Sequence, residues 1–272
     1  MISRIVLILG AALCLAGCGA TSGSDGRPTV VAAFYPLAYA AERVGDEKVA
    51  VDNLTPAGAE PHDLELAPKT VARIVRADVV FYLGHEFQPA VTTAVEQAQG
   101  DTVDVLKGLS IRADDPHVWL DPLLYARIVE RVGAALHAPG RADALVADLK
   151  ILDRAYRRGL AHCVRREIVT SHAAFGYLAG RYGLEQVPIT GLTPEAEPTA
   201  KDLERVVKVV RRTHATTVFF EPLVSPRLAR TVAREVGART AVLDPIESSN
   251  GPTYLELMRR NLRALRQALG CG

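Results

Sequence analysis

The chain carries almost no net charge, has no long apolar run and contains a single tryptophan, and each shortage narrows its role. Lysines and arginines number 32 against 31 acidic residues, a formal net charge of +1. Neither nucleic acid nor an anionic surface is therefore indicated as a partner. The apolar stretch 5–15 is too short for a membrane-spanning helix. No His-Glu-x-x-His motif occurs, so a compact metalloprotease helix is excluded. No convincing internal repeat is present either. What remains is ordinary for a globular protein with a substantial core: 49% hydrophobic and 23% charged residues over 272 positions, enough for one large or two medium domains.

The four cysteines divide by position. Arg4 and the run 5–15 read as the start of a signal peptide, closed by Leu15-Ala16-Gly17-Cys18. That tetrapeptide resembles the bacterial lipobox, in which the cysteine is lipidated and becomes the mature N-terminus. Residues 1–17 are thus expected to be removed, and an ordinary secretory signal is the competing reading. Residues 18–28 form a flexible tether, small and polar through most of its length. Acyl chains on Cys18 would hold the protein to the lipid bilayer, an extracytoplasmic location anchored to a bacterial membrane. Cys14 falls inside the signal, which leaves Cys163 and Cys271 as an even pair in an oxidising compartment. A disulfide between them would pin the C-terminal tail to the start of the second half, and two free thiols are the alternative.

Beyond the tether, short apolar runs alternate with amphipathic segments. Strands are expected at 29–33, 49–54, 79–83 and 102–106, with helices at 37–44, 68–76 and 89–98. Such alternation indicates βαβ units and a parallel sheet. Leu124, Ile128, Val132 and Leu136 then repeat at a four-residue spacing and predict a helix over 122–137. Asp121 and Pro122 suit its cap and first position. Pro139-Gly140 interrupts the pattern before a second helix over 142–161. Strands resume at 167–170, 186–189, 217–220 and 240–243, with helices at 173–182, 200–213, 226–236 and 253–269. The fold class is α/β: two similar lobes, 29–121 and 163–272, each a four-stranded mainly parallel sheet flanked by helices, joined by a long helical bridge over 122–162.

Four residues share one topological address. His62, His117, His172 and Asp244 all lie beyond the C-terminal ends of expected strands, two per lobe. In open α/β sheets that edge is where ligands bind. Three imidazoles and a carboxylate satisfy a borderline-soft divalent ion such as zinc. Spacing alone is a weak signal, and by itself each histidine reads more readily as a loop residue satisfied by backbone and water than as a ligand.

The surrounding residues decide further. Thr55-Pro56-Ala57-Gly58-Ala59-Glu60-Pro61-His62-Asp63-Leu64-Glu65, Asp115-Pro116-His117-Val118-Trp119-Leu120-Asp121-Pro122, Thr170-Ser171-His172-Ala173-Ala174-Phe175-Gly176-Tyr177-Leu178 and Val242-Leu243-Asp244-Pro245-Ile246 resemble, in order, the four metal-binding segments of the cluster A-I substrate-binding proteins of metal ABC transporters. The resemblance covers roughly 29–269. It implies two lobes joined by a long backbone helix, with metal buried between them and delivered to a membrane permease. Carried over by position, the ligands are His62, His117, His172 and Asp244. In that family a histidine at the third position accompanies zinc and a glutamate manganese, so His172 favours Zn2+ over the alternative Mn2+. The segment 107–114 departs from many zinc-type members, being short and free of histidine. That puts auxiliary metal capture in doubt.

Other polar residues at the same edge are weighed as supports. Glu60 and Glu221 could accept an imidazole N–H or cap a local turn. His85 is an alternate ligand or a cleft residue. His137, His162 and His214 read as helix-end residues. The functional expectation is a monomeric zinc-binding component of an ABC uptake system. Competing with it are a manganese-binding component, an adhesin, and a zinc hydrolase using Asp244 or Glu221 as base. Four protein ligands argue against an enzyme, because catalytic zinc keeps an open position.

Overall fold

The computed structural model describes residues 26–85, 87–112, 115–194 and 197–272. The expected signal peptide 1–17 and the expected lipidation site Cys18 lie outside the described residues, as does most of the expected tether. The first half builds β1 (Thr29–Ala32), α1 (Tyr35–Gly45), β2 (Ala50–Asn53), α2 (Pro68–Arg76), β3 (Val79–Tyr82), α3 (Pro89–Val95) and β4 (Asp101–Asp104). The second builds β5 (Glu167–Thr170), α6 (Gly176–Tyr182), β6 (Glu185–Pro188), α7 (Ala200–Thr213), β7 (Thr217–Phe220), α8 (Arg227–Val236), β8 (Arg239–Val242) and α9 (Tyr254–Leu269). Between them run α4 (Pro122–Ala135) and α5 (Pro139–Gly159).

Every strand pairing is parallel, and the sheets share one plan: order β2-β1-β3-β4 in the first, β6-β5-β7-β8 in the second. The chain steps one way from the first strand of each sheet and the other way to the third. Each sheet therefore has a switch point at its C-terminal edge, where a crevice opens. The inner strands carry near-continuous apolar runs, as Val30, Val31 and Ala32 of β1 show, because helices cover both faces.

Helix α4 starts where its sequence says it should. Asp121 accepts the N–H groups of Leu123 and Leu124, and Pro122 fills the first helical position. Arg181 of α6 pairs with the same Asp121 and lies 3.6 Å from Asp153 of α5, stitching the helix start to the second lobe. Pro139 does not merely break the bridge, as the pattern suggested. It opens α5, since a residue without an N–H is no loss in a first turn. The two bridge helices pack closely at Gly133, where a Cβ would come within 2.4 Å of the Ala142 methyl.

Helix α5 spans roughly 30 Å. Arg141 near its start pairs with Asp46 beyond α1, and Tyr156 near its end donates to the Met258 carbonyl of α9. One buried cluster joins the first lobe, the bridge and helices α6 and α9. A smaller one lies between the second sheet and helices α7 and α8. Cys163 and Cys271 are bonded, tying the C-terminal tail to the chain entering β5. Among the described residues, no helix is long and apolar enough to cross a membrane.

Candidate metal centre

The C-terminal edges of the two sheets converge on one point. The loop after β2 brings His62, the segment after β4 brings His117, the turn after β5 brings His172, and the loop after β8 brings Glu247. One donor atom from each lies within 4.8 Å of the others. His117, His172 and Glu247 are fully buried or nearly so, and His62 keeps only a sliver of exposure.

Two imidazoles are held from behind by carboxylates. Asp115 accepts the backbone N–H of His117 at 3.0 Å and lies 2.7 Å from its Nδ1. Glu221, following β7, accepts the backbone N–H of His172 at 3.2 Å and lies 2.5 Å from its Nδ1. At His117 the pairing leaves Nε2 as the free nitrogen, whereas at His172 the Glu221 carboxylate stands close to Nδ1 without a hydrogen bond to it. The expected helix over 173–182 starts later, at Gly176, because the residues before it are drawn into the turn that presents His172. Thr170 and Gln186 both donate to the His172 carbonyl there, at 2.7 and 2.9 Å.

The Nε2 atoms of all three histidines and both oxygens of Glu247 have no hydrogen-bond partner among the described residues. Buried polar atoms are ordinarily paired, so five orphans facing one another call for a ligand. Glu247 Oε1 stands 3.5 Å from His62 Nε2, 3.5 Å from His117 Nε2 and 3.9 Å from His172 Nε2. Tetrahedral zinc with bonds of about 2.0–2.1 Å sets its ligands roughly 3.3 Å apart, so these separations need only a small contraction. Phe87 and Trp119 wall the cluster, with ring centroids 4.6 Å from Phe87 to His62 and 5.1 Å from Trp119 to His117, and Phe34 packs behind both.

The charges suit a dication. Burial works against a cation on His117, but the carboxylates of Asp115 and Glu247 outweigh it and raise its pKa to about 9. At His62 burial dominates and lowers the pKa, against the pull of Glu247. Burial opposes charge on Glu247 too, yet the surrounding imidazoles hold it well below the usual carboxylate range. The cluster thus stays anionic at one carboxylate and holds a proton on His117 that a metal would displace.

The expected carboxylate, Asp244, is not in this group. Its Oδ1 accepts the Ile246 N–H at 2.7 Å, and its backbone is bound to Asn261. The chain turns through Ile246, at φ 59°, and delivers Glu247 three residues later. Spacing alone did not separate two carboxylates in one loop, and the glutamate's extra methylene was the available hint. Asp115 was likewise missed as a support. Of the supports expected, Glu221 stands behind His172, whereas the Glu60 carboxylate accepts the backbone N–H of His62. His85 is exposed at φ 56° and takes no part in the cluster.

Two α/β lobes closed on buried, unpartnered imidazole and carboxylate donors define a two-lobed metal-binding protein of the solute-binding kind. Residues 30–268 match the family model for zinc-uptake complex component A, periplasmic. The chain is 34% identical to zinc-binding lipoprotein AdcA of Streptococcus pneumoniae, over 97% of its own length and 60% of the relative's. It is 31% identical to high-affinity zinc uptake system protein ZnuA of Bacillus subtilis, over 98% of its own length and 97% of the relative's. The solved Zn(II)-bound ZnuA-like domain of S. pneumoniae AdcA superposes with a TM-score of 0.78 at 34% identity, covering 90% of this chain and 99% of that one. The chain belongs to the zinc-uptake component A family.

Proposed function

We propose that the protein captures Zn2+ between its lobes, on His62, His117, His172 and Glu247, and delivers it to an ABC permease for uptake. The observation that carries this is the set of unpartnered donors meeting within 4.8 Å. Three imidazoles with one carboxylate favour zinc over manganese, which prefers oxygen donors. The names of the zinc-binding relatives support the same cargo. Full protein coordination favours carriage over hydrolysis, since catalytic zinc keeps a position for water. On this reading the chain works as a monomer outside the cytoplasm, held to the bilayer through an acylated Cys18.

Calorimetry with zinc and manganese tests the assignment. His62→Ala, His117→Ala, His172→Ala and Glu247→Ala should each weaken zinc binding at least tenfold, while His137→Ala leaves it unchanged. Equal affinities across that set would sink the proposal. Metal-dependent hydrolysis lost in Glu221→Gln, with affinity retained, would convert it to an enzyme.

A further inference from the structure

We propose that Asp244, clamped by Asn261, is the positioning residue for Glu247; this rests on the metal reading above. Glu247 makes no hydrogen bond of its own among the described residues, so its aim is set by the backbone before it. Three contacts fix that backbone. Asn261 on α9, only 2% exposed, accepts the Asp244 N–H at 2.9 Å and donates to the Asp244 carbonyl at 2.7 Å, anchoring the loop as it leaves β8. Asp244 Oδ1 takes the Ile246 N–H at 2.7 Å. Trp119, from the His117 segment of the other lobe, donates its indole N–H to the Pro245 carbonyl at 2.7 Å.

Between these contacts sits Ile246, wholly buried at φ 59°. A β-branched side chain is strained there and persists only when its surroundings over-determine it. Without the Asp244 oxygen, residue 246 relaxes toward ordinary negative φ, and the Cα–Cβ direction of residue 247 swings off the imidazoles. The side chain closest in sequence to a ligand role thus acts through its neighbour.

The test measures zinc affinity of the full chain by chelator competition, with Co2+ absorption reporting four-coordinate binding. Asp244→Ala should weaken zinc about 10–100-fold and alter the cobalt spectrum. Asp244→Asn, which keeps an oxygen toward the Ile246 N–H, should restore affinity to within about threefold. Added to Glu247→Ala, the Asp244→Ala change should cost less than about twofold, because no carboxylate remains to be placed. Three results overturn the role: parental affinity in Asp244→Ala, the same loss with and without Glu247, or Asp244→Asn as damaging as Asp244→Ala. A parent chain that binds no zinc overturns the metal reading and this role together. Tight parental binding matched by Asp244→Ala overturns the positioning alone.

Discussion

Zinc binding should expel a proton from His117, and the number expelled should follow pH. The imidazole is wholly buried, with Asp115 2.7 Å from Nδ1 and Glu247 3.5 Å from Nε2. Those carboxylates raise its pKa to about 9 in the empty protein. A metal needs Nε2 deprotonated, so two pH units below that value the proton costs about 3 kcal/mol, roughly a hundredfold in apparent affinity. Calorimetry in buffers of different ionisation enthalpy counts the protons released. His117 should contribute about one per zinc at pH 7.5 and about half at pH 9. Asp115→Asn removes the neighbouring charge, lowers the His117 pKa and should shrink the release at pH 7.5. The empty protein gives an independent reading. The folded pKa lies above the unfolded value of 6.5. The His117 contribution to stability, about 3 kcal/mol, is therefore full below pH 6.5 and lost as pH rises through about 9. No proton release at pH 7.5, or release that stays constant to pH 9.5, would refute this electrostatic picture.

Three further outcomes follow from other parts of the molecule. Trp119 should change its emission on zinc addition, since its ring centroid lies 5.1 Å from His117 and its N–H holds the loop before Glu247; a flat titration at saturating zinc counts against the site. Reducing the Cys163–Cys271 bond, which closes 108 residues, should lower stability by about 5 kcal/mol in the chain-entropy picture, read as a drop in Tm. An unchanged melting curve under reductant would show that the tail is held by packing alone. Asp121→Ala strips the cap of α4 and leaves Arg181 only the more distant Asp153, a loss of about 2 kcal/mol by urea denaturation. A loss below about 1 kcal/mol would mean that the bridge does not depend on that corner.

Much of this was legible in one dimension because it rests on local rules. The alternation of apolar runs and amphipathic segments reports which backbone must pair and which must coil, so all eight strands were placed to within a residue or two. Asp121-Pro122 announced a helix start through the orphan N–H groups that any helix must satisfy. Ends were less legible where a side chain competes with the ladder. Val105 and Leu106 leave β4 because Asp104 turns back to accept the Gly84 and Leu106 N–H groups. The histidines were found because sheet topology gives every strand's C-terminal edge the same address.

Residue order alone determined the two parallel sheets, the helical bridge and three of the four residues brought together. Which carboxylate completes the group was decided only in three dimensions. Asp244 and Glu247 sit three positions apart in one loop, and either could face the imidazoles until the backbone direction at Ile246 is known. That direction depends on Asn261 from a later helix and Trp119 from the opposite lobe. The backs of the imidazoles are set within each lobe: Asp115 lies two residues from His117, and Glu221 reaches His172 because β7 pairs with β5 in the second sheet.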